Sequence, residues 1–146
     1  MRALLRTLAA GRDVAELGTA FGEGASAMAQ TARAVVTVEH DPERAAVARE
    51  RLSAYENVEL LEGDCYECLR DRGPFGLVFV DAGRPFDWEA ILVLVAPGGL
   101  LVKDDMTPGR PVGGDDVREF LLSDPRLAAA EILTTPQTAA IVAVKR

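Results

Sequence analysis

Four acids stand at or just beyond the ends of apolar, β-prone runs: Glu16 in Val14-Ala15-Glu16-Leu17, Glu39 after Val35-Val36-Thr37-Val38, Asp81 after Leu77-Val78-Phe79-Val80, and Asp104 after Leu100-Leu101-Val102-Lys103. If these runs lie side by side as parallel strands, ligands bind beyond their carboxyl ends, where strand order reverses. Several carboxylates in register at that end mark one polar site. Such carboxylates can grip hydroxyls, accept amino protons or ligate a hard cation. The first acid opens the run Glu16-Leu17-Gly18-Thr19-Ala20-Phe21-Gly22-Glu23-Gly24, an acid and a glycine-spaced turn leading into a helix. Gly18 permits a tight turn and Gly22 a close backbone approach, so the first amides of the helix can face a polar group. The spacing is not the dinucleotide pattern G-x-G-x-x-G, because alanine takes the middle place and the third glycine comes late.

Further along, Glu39 follows Gly18 by about twenty residues, the interval at which a carboxylate can hold the two hydroxyls of a ribose. Asp64, in Glu62-Gly63-Asp64-Cys65, falls after the third apolar run, where an adenine would lie. Its carboxylate can accept exocyclic amino protons while also capping the next helix. Cys65 and Cys68 form a C-x-x-C, the spacing of a redox pair or of half a zinc site. A zinc site needs two further ligands and the only histidine is His40, so the expectation is two buried or half-buried thiols at the start of a helix.

These residues need elements to place them. β-rich runs alternate with amphipathic stretches, which implies a parallel sheet wrapped by helices. Strands are expected at Asp13 to Leu17, Ala34 to Glu39, Val58 to Leu61, Leu77 to Val80 and Leu100 to Lys103. Helices are expected near Gly22 to Ala32, Asp41-Pro42 to Ala54, Cys65 to Arg70, Trp88 to Val95, and from Asp115 or Asp116 to Leu122. Pro97-Gly98-Gly99 reads as a turn. The last two runs, Ala128 to Leu133 and Thr138 to Val144, are joined by Thr134-Thr135-Pro136-Gln137, which permits a hairpin but no parallel crossover. The predicted fold is a single α/β domain over residues 1–146, a Rossmann-like, doubly wound seven-stranded sheet, mostly parallel with an antiparallel C-terminal hairpin.

A chain of 146 residues has the size of one domain, and a hydrophobic content of 49% fits an ordinary globular protein. The net charge of -7 repels phosphate, and no Lys/Arg run marks a nucleic-acid groove. Nucleic acid is therefore excluded as the expected partner. Leu4, Leu5 and Leu8 have helical spacing and Arg6 interrupts the apolar stretch, so the start reads as a short amphipathic helix ending at Gly11 rather than a signal peptide. No apolar run is long enough to span a bilayer, so no membrane partner is expected and the expected location is cytoplasmic.

Taken together, the residues resemble the class I S-adenosylmethionine (SAM)-dependent methyltransferases, and within them the small-molecule O-methyltransferases of the catechol and caffeoyl-CoA type. The resemblance rests on Glu16-Leu17-Gly18-Thr19 with Gly22, Val38-Glu39-His40-Asp41-Pro42, Glu62-Gly63-Asp64, Val80-Asp81, and Ala96-Pro97-Gly98-Gly99-Leu100-Leu101-Val102 followed by Asp104-Asp105. It implies that Glu16 and the turn Gly18, Thr19, Ala20, Phe21 and Gly22 hold the methionine part and ribose of SAM. Glu39 would take the ribose hydroxyls, Gly63, Asp64 and Cys65 the adenine, and His40 would border it. Asp81 would stand at the reaction centre.

In the metal-dependent branch of that family a divalent ion, Mg2+ or another, is held after strands four and five. The matching positions are Asp81, Asp104 and Asp105, with Asp105 in place of an asparagine. Neighbouring strands lie about 4.8 Å apart, so such carboxylates can meet on one cation. Three residues beyond Asp81 stands Arg84, where the catechol enzymes have a lysine base. Arginine stays protonated, so the implied role of Arg84 is to hold a carboxylate or phenolate. Lys103 is the other candidate base, although a strand-end lysine is expected to reach solvent. Phe86 and Trp88 could wall the acceptor side, and the pocket is either open or completed by a second subunit in a homodimer. The implied activity is methylation of a small-molecule hydroxyl. A noncatalytic SAM-binding module and a nicotinamide-dependent oxidoreductase stand as alternatives, the latter disfavoured by the glycine spacing and the closing hairpin. Asp81-Ala82-Gly83-Arg84 also lacks the N/D-P-P-aromatic motif of DNA amino-methyltransferases.

Overall fold

Valine-rich runs that are apolar on both faces can satisfy their backbones only inside a sheet covered on both sides. The computed structural model, which describes residues 1–83 and 85–146, builds that arrangement. In chain order the elements are α1 (Arg2–Ala9), β1 (Asp13–Leu17), α2 (Glu23–Ala29), β2 (Ala34–Glu39), α3 (Pro42–Leu52), β3 (Val58–Glu62) and α4 (Cys65–Leu69). There follow β4 (Phe75–Val80), α5 (Trp88–Leu94), β5 (Val95–Met106), α6 (Asp116–Ser123), β6 (Leu127–Leu133) and β7 (Ala139–Lys145). They form one seven-stranded sheet in the order β3-β2-β1-β4-β5-β7-β6. The first five strands pair in parallel, and β7 runs antiparallel to both β5 and β6. This is the doubly wound sheet with a reversed terminal hairpin that the sequence predicts.

Two apolar layers sandwich the sheet. On one face Leu5 and Ala9 of α1, Ala25 and Met28 of α2, and Ala48 and Leu52 of α3 pack on Val14, Val35, Leu77, Phe79 and Val102. On the other, Leu69 of α4, Ile91 and Leu94 of α5, and Val117 and Leu121 of α6 pack on Ala15, Leu17, Val78, Val80 and Leu101. Because the chain returns from β3 to place β4 beside β1, the strand order reverses between β1 and β4, which opens a crevice at their carboxyl ends.

Acidic caps set where the helices begin. Asp41 accepts from the amides of Glu43 and Arg44, with Pro42 in the first turn, and Asp64 accepts from Tyr66 and Glu67. Asp87 and Asp115 cap α5 and α6 in the same way, accepting from Ala90 and Arg118.

Several boundaries differ from expectation, among them the start of β4 at Phe75 rather than Leu77 and the end of β5 at Met106 rather than Lys103. Helix α2 stops at Ala29 because the Asn57 side chain donates to the carbonyls of Ala29 and Ala32 and so closes its end. Helix α3 ends at Leu52, not Ala54. Strand β5 begins at Val95 rather than Leu100: Lys145 donates to the carbonyls of Leu92 and Val95, letting α5 pass directly into the strand. Pro97-Gly98-Gly99 lies within β5, opposite an irregularity between Phe75 and Leu77. Among the described residues, no helix is long and apolar enough to cross a membrane.

Candidate functional site

At the crevice the turn after β1 meets the turn after β4. Gly18 has φ +94°, and a Cβ there would lie 2.8 Å from the Ala82 amide nitrogen, so only glycine lets the two backbones touch. Beneath this turn Glu16 is fully buried. Thr37 donates to its carboxyl group, and the Thr19 and Thr37 hydroxyls lie 2.5 Å apart. The same carboxyl occupies the space a side chain at residue 24 would need: a Cβ on Gly24 would sit 2.1 Å from Glu16 Oε1. Burial pushes the Glu16 carboxyl up to about 8, against the Thr37 hydrogen bond and with a smaller push from the charge of Asp81. Glu16 is therefore a structural acid under the turn.

Glu39, at the end of β2, is almost fully buried, and its carboxylate is oriented by backbone donors. The Ala20 amide donates to Oε2 at 2.7 Å and the Asp41 amide to Oε1 at 3.0 Å, while the exposed His40 ring brings Nδ1 within 3.2 Å of Oε1. Beyond β3, Asp64 holds the start of α4 with Oδ1 and Cys65 follows half-buried. Burial, with the negative charge of Asp64, raises the Cys65 thiol above its usual range. Tyr66 then bridges to the next loop, its hydroxyl accepting from the Asp87 amide at 2.9 Å.

These groups surround a cleft of about 300 Å3 lined by Gly18, Ala20, Val38, Glu39, His40, Arg44, Gly63, Asp64, Cys65, Tyr66, Asp81, Ala82, Gly83 and Pro85. Sequence reasoning placed eight of them there: Gly18, Ala20, Glu39, His40, Gly63, Asp64, Cys65 and Asp81. It also named Glu16, Thr19, Phe21 and Gly22, which do not line the cleft. Glu16 and Thr19 lie buried below the turn, Phe21 is exposed, and Gly22 starts α2. Six lining residues fall outside the expected set: Val38, Ala82, Gly83 and Pro85, and the two with polar side chains, Arg44 and Tyr66. The signal for Tyr66 was its place next to Cys65 in the first turn of α4; for Arg44 it was the first turn after Asp41-Pro42.

Asp81 continues the β1–β4 ladder through its amide to Leu17 and opens its side chain to the cleft mouth. The surrounding protein still desolvates its carboxyl and pushes it up to about 6. Asp105 and Asp104 add to this by repulsion and Lys103 opposes it. Desolvation raises Asp104 as well.

The expected metal centre is not assembled. Among the described residues no three His, Cys, Asp or Glu side chains come together as a metal site, so Asp81, Asp104 and Asp105 do not form a chelate. The reason lies in β5: its pairing with β7 shifts register between Lys103 and Met106, and Asp105 takes a left-handed φ of 58° with its side chain exposed. Lys103 is a second correction. It does not reach solvent; only 7% exposed, it donates from Nζ to the Asp104 carbonyl at 2.7 Å and lies 5.5 Å over the Phe86 ring. Arg84, named as a candidate catalytic residue, lies outside the described residues.

Next to the cleft, and sharing Tyr66 and Pro85 with it, runs an apolar groove of about 560 Å3 lined also by Phe86, Asp87, Trp88, Glu89 and Phe120. Trp88 stacks on Phe120 at 5.3 Å between ring centroids and meets Phe86 at 4.9 Å. The aromatic residues thus pack on the core with one side and edge the groove with the other.

Comparison with known proteins agrees with this fold. The methyltransferase-domain family matches residues 15–106, from Ala15 in β1 to the end of β5. The chain is similar to TomG, an O-methyltransferase from Streptomyces achromogenes involved in tomaymycin synthesis and solved in complex with SAM. The TM-score is 0.82 with 26% identity, covering 99% of this chain and 78% of that one. It is also similar to protein-L-isoaspartate O-methyltransferases. With that of a Picosynechococcus species it shares 37% identity over 91 residues, 61% of this chain and 41% of the relative. With that of Rhodopseudomonas palustris it shares 33% over 117 residues, 79% and 51% of the two chains. The chain thus spans about half the length of these curated relatives or less. With a doubly wound sheet closed by a reversed hairpin and a cleft at its switch point, the chain belongs to the methyltransferase-domain family and has the class I SAM-dependent methyltransferase fold.

Proposed function

We propose that this chain is a SAM-dependent methyltransferase acting on a hydroxyl of a small molecule. The observation that carries the reading is the cleft itself, which sets the buried carboxylate of Glu39 on one wall, Asp64 and Cys65 on another and Asp81 at its mouth. In this reading Glu39 takes the ribose hydroxyls, the Asp64–Cys65 turn borders the adenine, and the backbone at Gly18 and Ala20 follows the ligand between them. Glu16 and Thr19 act from below as supports of the turn, and Gly22 and Phe21 set the start of α2. With SAM held there, Asp81 would stand beside the transferred methyl group, and the neighbouring aromatic groove of Phe86, Trp88 and Phe120 would suit a flat, apolar acceptor.

Methyl transfer is an in-line displacement. The acceptor oxygen forms a bond to the methyl carbon as the carbon–sulfur bond breaks, leaving S-adenosylhomocysteine, and the hydroxyl proton passes to Asp81 or to water at the cleft mouth. Most of the barrier reduction then comes from holding the two reactants in line. A second reading, methylation of an isoaspartyl carboxylate, is favoured by the curated relatives. The small-molecule reading is supported by the likeness to TomG, which extends over nearly the whole chain.

Calorimetry with SAM and with NAD, followed by transfer of labelled methyl to phenols, catechols, simple acids and an isoaspartyl peptide, tests these readings. The expected result is SAM binding and labelling of a hydroxyl acceptor. Binding of NAD without SAM overturns the proposal. Labelling of the isoaspartyl peptide alone selects the second reading, and SAM binding without any transfer selects a noncatalytic module.

A further inference from the structure

Lys103 is an expensive residue to bury. A lysine side chain normally keeps its ammonium in water, and taking it out costs several kcal/mol unless charges or hydrogen bonds compensate. Here the strand alternation of β5 puts Lys103 on the same face as Leu101, with Val80 opposite it in β4, one residue before Asp81. Its Nζ is held by the Asp104 carbonyl at 2.7 Å, above the face of Phe86, whose other neighbour Trp88 edges the groove. Asp81 and Asp104 both lie within electrostatic reach of this ammonium. It is thus a cation on a short tether at the place where three acids crowd the carboxyl ends of β4 and β5.

We propose that Lys103 is the built-in counter-ion of the site, supplying in fixed form the positive charge that a divalent ion would otherwise bring to Asp81, Asp104 and Asp105. The inference rests on the reading of the cleft as a SAM site with its reaction end at Asp81. Lys103 lines neither the cleft nor the groove, so it is a positioning residue: it anchors the β5 turn through the Asp104 carbonyl and offsets the acids without touching the ligand. A metal ion and a buried ammonium compete for the same field, because a fixed cation acting on the same carboxylates repels an incoming divalent ion in a partly desolvated site. The register shift at Asp105 keeps the three carboxylates from forming a chelate, and Lys103 separately offsets their charge; both point to transfer without a metal.

The test is Mn2+ binding, followed by electron paramagnetic resonance on the protein saturated with S-adenosylhomocysteine. Wild type is expected to leave the free Mn2+ signal undiminished to millimolar concentration. Lys103→Met keeps the length and the contact with Phe86 but removes the charge, and is expected to raise Mn2+ affinity roughly tenfold or more. Lys103→Arg, which restores a cation, is expected to show no gain, and adding Asp81→Asn to Lys103→Met should abolish it. Calorimetry of S-adenosylhomocysteine on each variant shows that the cleft is intact. If that ligand fails to bind wild type, the reading of the cleft falls, separately from the role of Lys103. Stoichiometric Mn2+ binding by wild type that Asp81→Asn removes overturns the proposal. So does a correctly folded Lys103→Met that gains no Mn2+, or methyl transfer that requires added Mg2+.

Discussion

The Glu39 carboxylate reaches from the end of β2 to the Ala20 amide in the turn after β1, at 2.7 Å, and with its other oxygen to the Asp41 amide at 3.0 Å. One acid therefore ties together the turn and the start of α3 while facing the cleft. Glu39→Gln is expected to weaken S-adenosylhomocysteine binding by about 10- to 100-fold, the range for losing a charged hydrogen-bond partner. Titration calorimetry measures it, and an unchanged affinity would place the ribose elsewhere.

Glu16 gives a pH signature. Its folded value of about 8 lies above the ordinary 4.5, so the folded protein holds a proton that the unfolded chain releases. The sign follows from linkage: the stability this group contributes is complete below pH 4.5 and is lost as pH rises through 8. Glu16→Gln mimics the neutral form. Its stability should change less than that of wild type between those two values, with a gap of at most a few kcal/mol opening toward alkaline pH. Thermal unfolding followed by circular dichroism across that window decides the matter. Parallel curves would mean that Glu16 is ionised in the folded protein.

Cys65 reports on occupancy of the adenine end. Its thiol lines the cleft, whereas Cys68 sits behind Gly63, its Sγ 3.0 Å from where a Cβ on that glycine would be. Burial holds the Cys65 thiol protonated, so alkylation by iodoacetamide near neutral pH should be slow. S-adenosylhomocysteine should slow it by roughly a further tenfold, the factor expected when most of the site is occupied. Peptide mapping should show this protection at Cys65 more than at Cys68. Equal labelling with and without the ligand would remove Cys65 from the site.

Much of this arrangement is legible in the sequence because valine-rich strands bounded by acids leave little choice of register. The bounds of β1 and β2 follow directly from Asp13–Leu17 and Ala34–Glu39, and with them the positions of Gly18 and Glu39. What escapes is decided by tertiary pairing. The turn signal of Pro97-Gly98-Gly99 is overridden by Lys145, which comes from the far end of the chain to satisfy the carbonyls at the α5–β5 junction. The acids after β5 look like ligands by type and order, yet the kink at Asp105 depends on pairing with β7, which no local pattern encodes. Lys103 is different, since its alternation with Leu101 already placed it on a buried face; the general habit of lysine to seek water hid that signal.

Arg118 offers a way to separate the acceptor side from the SAM cleft. Only 1% exposed, it bonds Asp115 at 2.6 Å, Glu131 at 2.7 Å and the Thr107 carbonyl at 2.7 Å, so one guanidinium joins α6, β6 and the loop after β5. Its planar fork suits three acceptors at once, which an ammonium cannot match. Arg118→Met removes the donor that Glu131 and the Thr107 carbonyl share, and should cost about 2 kcal/mol, somewhat less than a fully buried pair because Glu131 keeps partial contact with water. None of these groups lines the cleft, so S-adenosylhomocysteine affinity should stay within about twofold of wild type, the additivity expected for distant sites. Methyl transfer should fall more steeply, because the loop from Thr107 onward continues from the acids at the reaction end. Denaturant unfolding gives the first quantity, calorimetry the second and a labelled-methyl assay the third. A loss of affinity matching the loss of transfer would show that the two ends of the site are coupled through Arg118 rather than independent.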